Sequence, residues 1–126
     1  MTDLTRYQIG KKLNAFDQLK LTRKLAPAFP LIDGLIKDEN KEKPKSILII
    51  LMLGMISDDA VKEIIDLCLS CVYVSQEQGI QPAPLYVNGR CMFDDVKMDE
   101  ILELTAKVIE VNIGDFLNTA LLSLKG

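Results

Sequence analysis

The chain has 126 residues, of which 48% are hydrophobic and 26% are charged, with a net charge of −3. This length allows a single domain with a sizeable core, and the composition is ordinary for a folded globular protein. A nucleic-acid site needs clustered Lys and Arg, so the dispersed basic residues argue against a nucleic-acid partner.

The sequence predicts neither secretion nor a membrane anchor. The first ten residues are polar, without the apolar core of a signal peptide. The longest apolar run, Ile47–Ile56, is about half of the roughly 20 residues that a membrane span needs. With three cysteines in such a chain, we expect a reduced, cytoplasmic compartment.

The N-terminal part predicts a short strand followed by a helix. Thr5–Ile9 is rich in strand-forming residues and ends at Gly10. Asn14 can then cap a helix that ends before Pro27. The apolar spacing of that helix is marked by Phe16, Leu19, Arg23 and Ala26.

Two further helices and a polar loop are predicted before residue 57. A short helix is expected over Leu31–Lys37, followed by an exposed loop over Asp38–Lys45. Ser46 can cap the helix formed by the apolar run Ile47–Ile56. Because this helix is apolar nearly all round, we expect it at the centre of the fold.

The next helix has a clear start signal. Ser57 is a capping residue, and Asp58 and Asp59 place negative charge in the first turn, where the helix dipole favours it. We expect this helix to run to about Val74. Its apolar face comprises Val61, Ile64, Ile65, Cys68, Cys71 and Val72.

A hairpin is predicted over Pro84–Phe93. Asn88 and Gly89 supply the two positive φ angles of a type I′ turn between Pro84–Val87 and Arg90–Phe93. An isolated hairpin is marginal in water, so we expect it to pack on the helices or to pair with Thr5–Ile9.

The C-terminal part predicts a long helix and a terminal helix. The first runs from about Lys97 to Val111, and Gly114 interrupts the pattern before the second. The stripe of the long helix comprises Met98, Ile101, Leu102, Thr105, Val108, Ile109 and Asn112, widened by Leu104 and Val111.

The terminal segment predicts a candidate partner-binding stripe. Its apolar residues at helical spacing are Ile113, Phe116, Leu117, Ala120, Leu121 and Leu124. Such a stripe either folds back on the core or docks on another copy or a partner protein. The chain as a whole is therefore predicted to be one mainly α domain, residues 1–126, of about five helices with minor β structure.

Catalytic and metal-binding signatures are scarce. Without histidine, the chain lacks the commonest general base and zinc ligand. Cys68 and Cys71 form a CxxC pattern inside a helix, and we interpret them as core residues. Together with Cys91 they make three thiols, one ligand fewer than the four of a structural zinc site. No catalytic residue and no cofactor is predicted.

An acid-rich cluster is the main alternative. It comprises Asp94, Asp95, Asp99, Glu100 and Glu103. These carboxylates could hold Mg²⁺ in a small metal-dependent enzyme, or they could decorate the start of a helix, which we favour. Arg90 is a candidate ion-pair partner for one of them.

Three segments together resemble the tail assembly chaperones of long-tailed bacteriophages. AFDQLKLTRKLAP (Ala15–Pro27), ISDDAVKEIIDLCLSCV (Ile56–Val72) and NGRCMFDDVKMDEILELTAKVIEVNIGDFL (Asn88–Leu117) match the family in this order. The last contains the NGR-x-MFDD turn and the V-N-[IF]-G-x-F ending. The approach to the hairpin, GIQPAPLY (Gly79–Tyr86), departs from the glycine- and tryptophan-rich pattern of the family.

The resemblance implies a non-enzymatic chaperone of tail morphogenesis. Such proteins bind the tape measure protein and help to recruit tail tube subunits, and they are often made alongside a frameshift-extended form. The resemblance implies action in the host cytoplasm, absence from the finished virion and self-association. The competing interpretations are the metal-dependent enzyme and a generic or transcription-related helical interaction module.

Overall fold

The computed structural model describes the backbone of residues 4–30 and 45–125, and the side chains of residues 4–30 and 47–116. Three predicted features lie outside this part: the helix Leu31–Lys37, the loop Asp38–Lys45 apart from the backbone of Lys45, and the capping side chain of Ser46. Within it, the α-helices and strands are β1 Tyr7–Ile9, α1 Ala15–Leu25, α2 Lys45–Leu53, α3 Asp58–Leu69, β2 Val72–Val74, β3 Ala83–Pro84, β4 Tyr86–Val87, β5 Arg90–Cys91 and α4 Met98–Lys125, and a 3₁₀ helix, Ala26–Ala28, follows α1. The predicted mainly α fold with minor β structure is confirmed.

Of the three predicted helix caps, the two whose side chains the structure describes are both formed. The Asn14 side-chain oxygen accepts a hydrogen bond of 2.8 Å from the Asp17 amide, at the start of α1. The Ser57 hydroxyl accepts one of 3.2 Å from the Ala60 amide, at the start of α3. Each cap satisfies a backbone donor that the first helical turn leaves without a partner.

The buried face of α1 differs from the predicted one. Leu21 and Leu25 are fully buried, whereas Phe16 is 83% exposed and Leu19 is 55% exposed. Arg23 and Ala26 are exposed as well. The helix has apolar residues on two faces, and packing against α3 and α4 decided which face became core.

The centre of the core is α4, not the apolar helix α2. Helix α4 packs against α1, α2 and α3. Its middle turns are buried at Leu104, Thr105, Ala106, Val108 and Ile109. Ile47 of α2 is 45% exposed, and Met98 and Val111, both assigned to the stripe of α4, are exposed too.

Helix α3 ends five residues before the predicted end. After Leu69 the chain turns, and Val72–Val74 forms strand β2. The valines favour a strand because branched side chains pack well on a pleated surface, and both are buried. Cys71 and Val72 therefore lie beyond the helix.

The N-terminal strand pairs with β2 and not with the hairpin. β2 is the middle strand of a three-stranded antiparallel sheet, with β1 on one side and β3 on the other. The pair Gln8 and Tyr73 fixes the register of β1, and Tyr73 also lies opposite Pro84 of β3.

The predicted Asn-Gly hairpin is confirmed in a shorter form. Asn88 has a φ of 52° and Gly89 a φ of 78°, between β4 and β5. The Tyr86 hydroxyl donates a hydrogen bond to Asp66 of α3, so the hairpin packs on the helices as one of the two expected arrangements. Burial, together with this bond, raises the pKa of Tyr86 to about 12.

Candidate functional surface

Asp95 and Glu100, two of the five acids in the cluster at the hairpin exit, have separate structural roles. Asp95 forms a bidentate contact with Arg6, at 2.7 and 3.2 Å, and not with Arg90. Glu100 accepts a hydrogen bond of 2.8 Å from the Lys97 amide and so caps α4. Among the described residues, no group of three or more Asp, Glu or Cys side chains could hold a metal ion.

The Arg6 contact also ties the N-terminal strand to the start of α4. The guanidinium of Arg6 donates a 2.6 Å hydrogen bond to the Tyr7 hydroxyl and lies over the Tyr7 ring. Its hydrogen bond to Asp95 raises the pKa of Arg6 and lowers the pKa of Asp95. Burial raises the pKa of Tyr7. The short contact between Arg6 and Asp95 is that of an ion pair joining the two segments.

The cysteines are placed as core and surface residues. Cys68 and Cys71 are both fully buried, as predicted, and Cys91 is exposed. Burial raises the pKa of Cys68 and of Cys71, so their thiolates are disfavoured. This environment is unlike that of a reactive redox cysteine.

The predicted partner-binding stripe divides at a kink in α4. Ile113 has a non-helical backbone, with φ −132° and ψ 15°, and its side chain is buried. Phe116, three residues later, is 52% exposed. The other members of the stripe belong to the helix, but their side chains lie outside the described part: Leu117, Ala120, Leu121 and Leu124. Ile113 is therefore a core residue.

Asn112 joins the kink to the start of α1. Its side-chain oxygen accepts hydrogen bonds from the Leu13 amide, at 2.8 Å, and from the Gln18 side chain, at 3.2 Å. Its amide nitrogen donates to the carbonyl of Val108, at 2.8 Å. Gly114 follows, and a Cβ there would lie 3.4 Å from the Glu110 side chain. Asn112 thus fixes α1 beside the place where α4 changes direction.

An exposed apolar face lies where α1 and α4 meet. We call it the α1–α4 face, and its four large side chains are Phe16, Leu19, Val111 and Phe116, exposed by 83, 55, 44 and 52%. A hollow of about 580 Å³ separates the two helices and is lined by the last three of these residues. A second hollow, of about 520 Å³, is lined by residues of α1 alone, and it is this hollow that Phe16 lines together with Leu19.

The sequence pattern did not identify three of these four residues as surface residues. Phe16 and Leu19 were assigned to the apolar face of α1, and Val111 to the stripe of α4. The available signal was that α1 has a second apolar set, Leu21 and Leu25, on another side. A short helix that is apolar on two sides must either lie deep in the core or expose one side.

No helix in the described part of the chain is both long enough and apolar enough to cross a membrane. Comparison with curated proteins and with solved structures found no match. Comparison with protein families found that the model of the phage tail assembly chaperone protein, TAC, matches residues 5–123. This match spans nearly all of the chain and includes all three segments in which the resemblance was seen. The chain therefore belongs to the phage tail assembly chaperone family, and its role lies in the assembly of phage tails.

Proposed function

We propose that this protein is a non-enzymatic chaperone that binds the tape measure protein and helps to recruit tail tube subunits. The observation that carries the proposal is the family match over residues 5–123. It acts in the host cytoplasm and is absent from the finished virion. Its tape measure contact keeps long apolar helices of that protein soluble until the tube assembles around them.

The terminal stripe is the proposed contact for the tape measure protein. Past the kink at Ile113, the first side chain of the stripe, Phe116, is half exposed. The remaining stripe residues, from Leu117 to Leu124, continue at the same spacing on the helical backbone of α4. An amphipathic helix of this kind packs its apolar side into a groove or against another helix.

The proposal is tested by co-expression with the tape measure protein of the same phage. We expect the tape measure protein to be soluble and to copurify with this chain, and to aggregate without it. A variant with Leu117, Leu121 and Leu124 changed to Ser should lose copurification. The matched control changes Asn118 and Ser123, which lie off the stripe, to Ala and should keep it.

Two results would contradict the proposal. A tape measure protein that stays insoluble with the wild-type chain would remove the chaperone role. Copurification that survives the triple Ser variant would move the contact to another surface. Recruitment of tail tube subunits is measured separately, by capture of the tube protein on the purified chaperone–tape measure complex.

A further inference from the structure

The exposed side of α1 carries a row of side chains at helical spacing. Phe16, Leu19 and Arg23 follow one another at intervals of three and four residues, so they lie along one side of the helix. All three are exposed, and Phe16 is the most exposed large apolar side chain in the described part of the chain. We call this row the outer stripe of α1. It is apolar at its start and ends in a cation.

The outer stripe is continuous with the start of the terminal stripe. Leu19 lines the second hollow together with Phe16, and it also lines the hollow between α1 and α4 together with Val111 and Phe116. Phe116 is the first exposed residue of the terminal stripe, which is the proposed contact for the tape measure protein. One apolar track therefore runs from Phe116 across Leu19 to Phe16.

The end of this track on α1 is positively charged. Lys20, Arg23 and Lys24 line the second hollow, and none of its described lining residues is acidic. Lys24 is paired with Glu63 of α3; its hydrogen bond lowers the pKa of Glu63, and the charge of Lys20 acts in the same direction. Arg23 forms no ion pair with any residue in the described part of the chain. Arg23 is therefore the cation of this track that no described acid uses.

The track favours a helical occupant over an extended one. Within α1, and within α4 before its kink, the backbone groups bond to each other, so the helices present side chains along the track. An extended peptide would find no backbone partners there for its own N–H and C=O groups. A helix satisfies these groups internally and can pack an apolar row against two other helices. The occupant that fits is an amphipathic helix.

We propose that this track binds an amphipathic helix of the tape measure protein that carries Asp or Glu where it crosses α1. The inference rests on the proposed function and extends its contact from the terminal stripe onto α1. The apolar row of the bound helix packs on Phe116, Leu19 and Phe16. Its acid lies against the guanidinium of Arg23, which can bind a carboxylate through two hydrogen bonds. The outer stripe thereby selects a segment with an acidic end over a purely apolar one.

Photo-crosslinking from position 16 tests where the partner lies. Phe16 is replaced by p-benzoylphenylalanine in the full chain, which is co-expressed with the tape measure protein of the same phage and irradiated. Because Phe16 is largely exposed, the larger side chain leaves the core intact. Mass spectrometry should identify a linked tape measure segment with amphipathic spacing and an Asp or Glu within about two helical turns. The same replacement at Met92, which is 58% exposed and lines neither hollow, is the control and should give no such link.

Substitutions measure the apolar and the charged contributions. One variant changes both Phe16 and Leu19 to Ala, and the other is Arg23→Glu. Each should copurify at least about fivefold less tape measure protein per chain than the wild type. The control, Lys62→Glu, makes the same charge change at an exposed position of α3 that lines neither hollow, and it should copurify as much as the wild type. Circular dichroism checks that all variants fold.

The outcomes separate this inference from the proposed function. If the wild-type chain does not keep the tape measure protein soluble, both are wrong. If the triple Ser variant of the terminal stripe loses the tape measure protein while the two α1 variants retain it, the proposed function stands and the contact on α1 is overturned. A link from position 16 to a segment without acids, or only to a second copy of this chain, also overturns the inference.

Discussion

The Leu13 amide donates a 2.8 Å hydrogen bond to the side-chain oxygen of Asn112, which lies 99 positions later in the chain. This bond closes the fold between the residue before the cap of α1 and the last residue before the kink of α4. It also gives the asparagine of the V-N-[IF]-G-x-F ending a structural role.

Replacing Asn112 by Ala should therefore destabilise the protein. The Leu13 amide, at a largely buried residue, would lose its acceptor, which costs about 1–3 kcal/mol in the free energy of unfolding. Gln18→Ala removes only the weaker bond to the same oxygen and should cost about 0.5–1.5 kcal/mol. Urea unfolding measures both, and an Asn112→Ala effect smaller than that of Gln18→Ala would contradict this account.

The glycine that ends β1 is required by a close approach of the Tyr73 ring. A Cβ at Gly10 would lie 2.3 Å from Cδ1 of Tyr73 in the neighbouring strand. Gly10→Ala should cost about 1–3 kcal/mol, because the ring has to move within the sheet. Gly54→Ala, where the nearest atom is at 3.4 Å, is the control and should change stability little.

A double variant separates this clash from other effects. With Tyr73 changed to Ala, the added methyl group of Gly10→Ala meets no ring, so its cost should fall well below the cost in the wild-type background. Thermal unfolding of the four proteins in this cycle gives the coupling. Equal costs in both backgrounds would show that the ring is not the cause.

The ion pair between Arg6 and Asp95 predicts a specific loss of stability in acid. Because Arg6 lowers the pKa of Asp95 in the folded protein, the pair stabilises the fold above the unfolded-state pKa, near 3.9. This contribution is lost as the pH falls through the lower, folded-state pKa. Asp95→Asn should reduce stability at pH 7 and remove part of the decline toward acid.

The neighbouring acid supplies the control for this prediction. Asp94→Asn should leave the pH profile of unfolding close to that of the wild type, since Asp94 is exposed and does not contact Arg6. Urea unfolding from pH 7 down to about pH 3 covers the range of the unfolded-state carboxyl pKa. Identical profiles for the wild type and Asp95→Asn would exclude a role for the pair.

The cysteines should differ sharply in reactivity. Cys91 is exposed and should react at once with a thiol reagent in the native protein, while Cys68 and Cys71 should react only after local or global opening. In Cys91→Ser the rapid phase should vanish. Rapid labelling of the remaining two thiols, or zinc retained by the purified protein, would contradict their assignment as core residues without metal.

Truncating a side chain should destabilise the protein strongly on one side of the kink in α4 and only slightly on the other. Ile113 is buried, so Ile113→Ala should cost about 2–5 kcal/mol through the lost contacts and the cavity. Phe116 is half exposed, and Phe116→Ala should change stability by less than about 1 kcal/mol at dilute protein. Chemical unfolding at low concentration avoids a contribution from association. Equal losses would show that both residues are core.

Local signals in the sequence determined most of the secondary structure. The caps at Asn14 and Ser57 and the turn at Asn88–Gly89 were predictable, because each depends on side chains and φ angles within a few residues. Because these signals are local, they also explain why the end of α3 was predicted wrongly. Val72–Val74 continues an apolar pattern that fits a helix or a strand, and only pairing with Tyr7–Ile9 selects the strand.

Tertiary packing decided which apolar faces became core and which became surface. Phe16 and Leu25 both look like core residues in the sequence, but the first is 83% exposed and the second is fully buried. The difference depends on where α3 and α4 lie against α1, and neither spacing nor hydropathy within one helix contains that information. For the same reason, the sequence predicted only the terminal stripe as a binding surface. That Lys12 and Glu110 line the same hollow could be seen only from the positions of α1 and α4 in the fold.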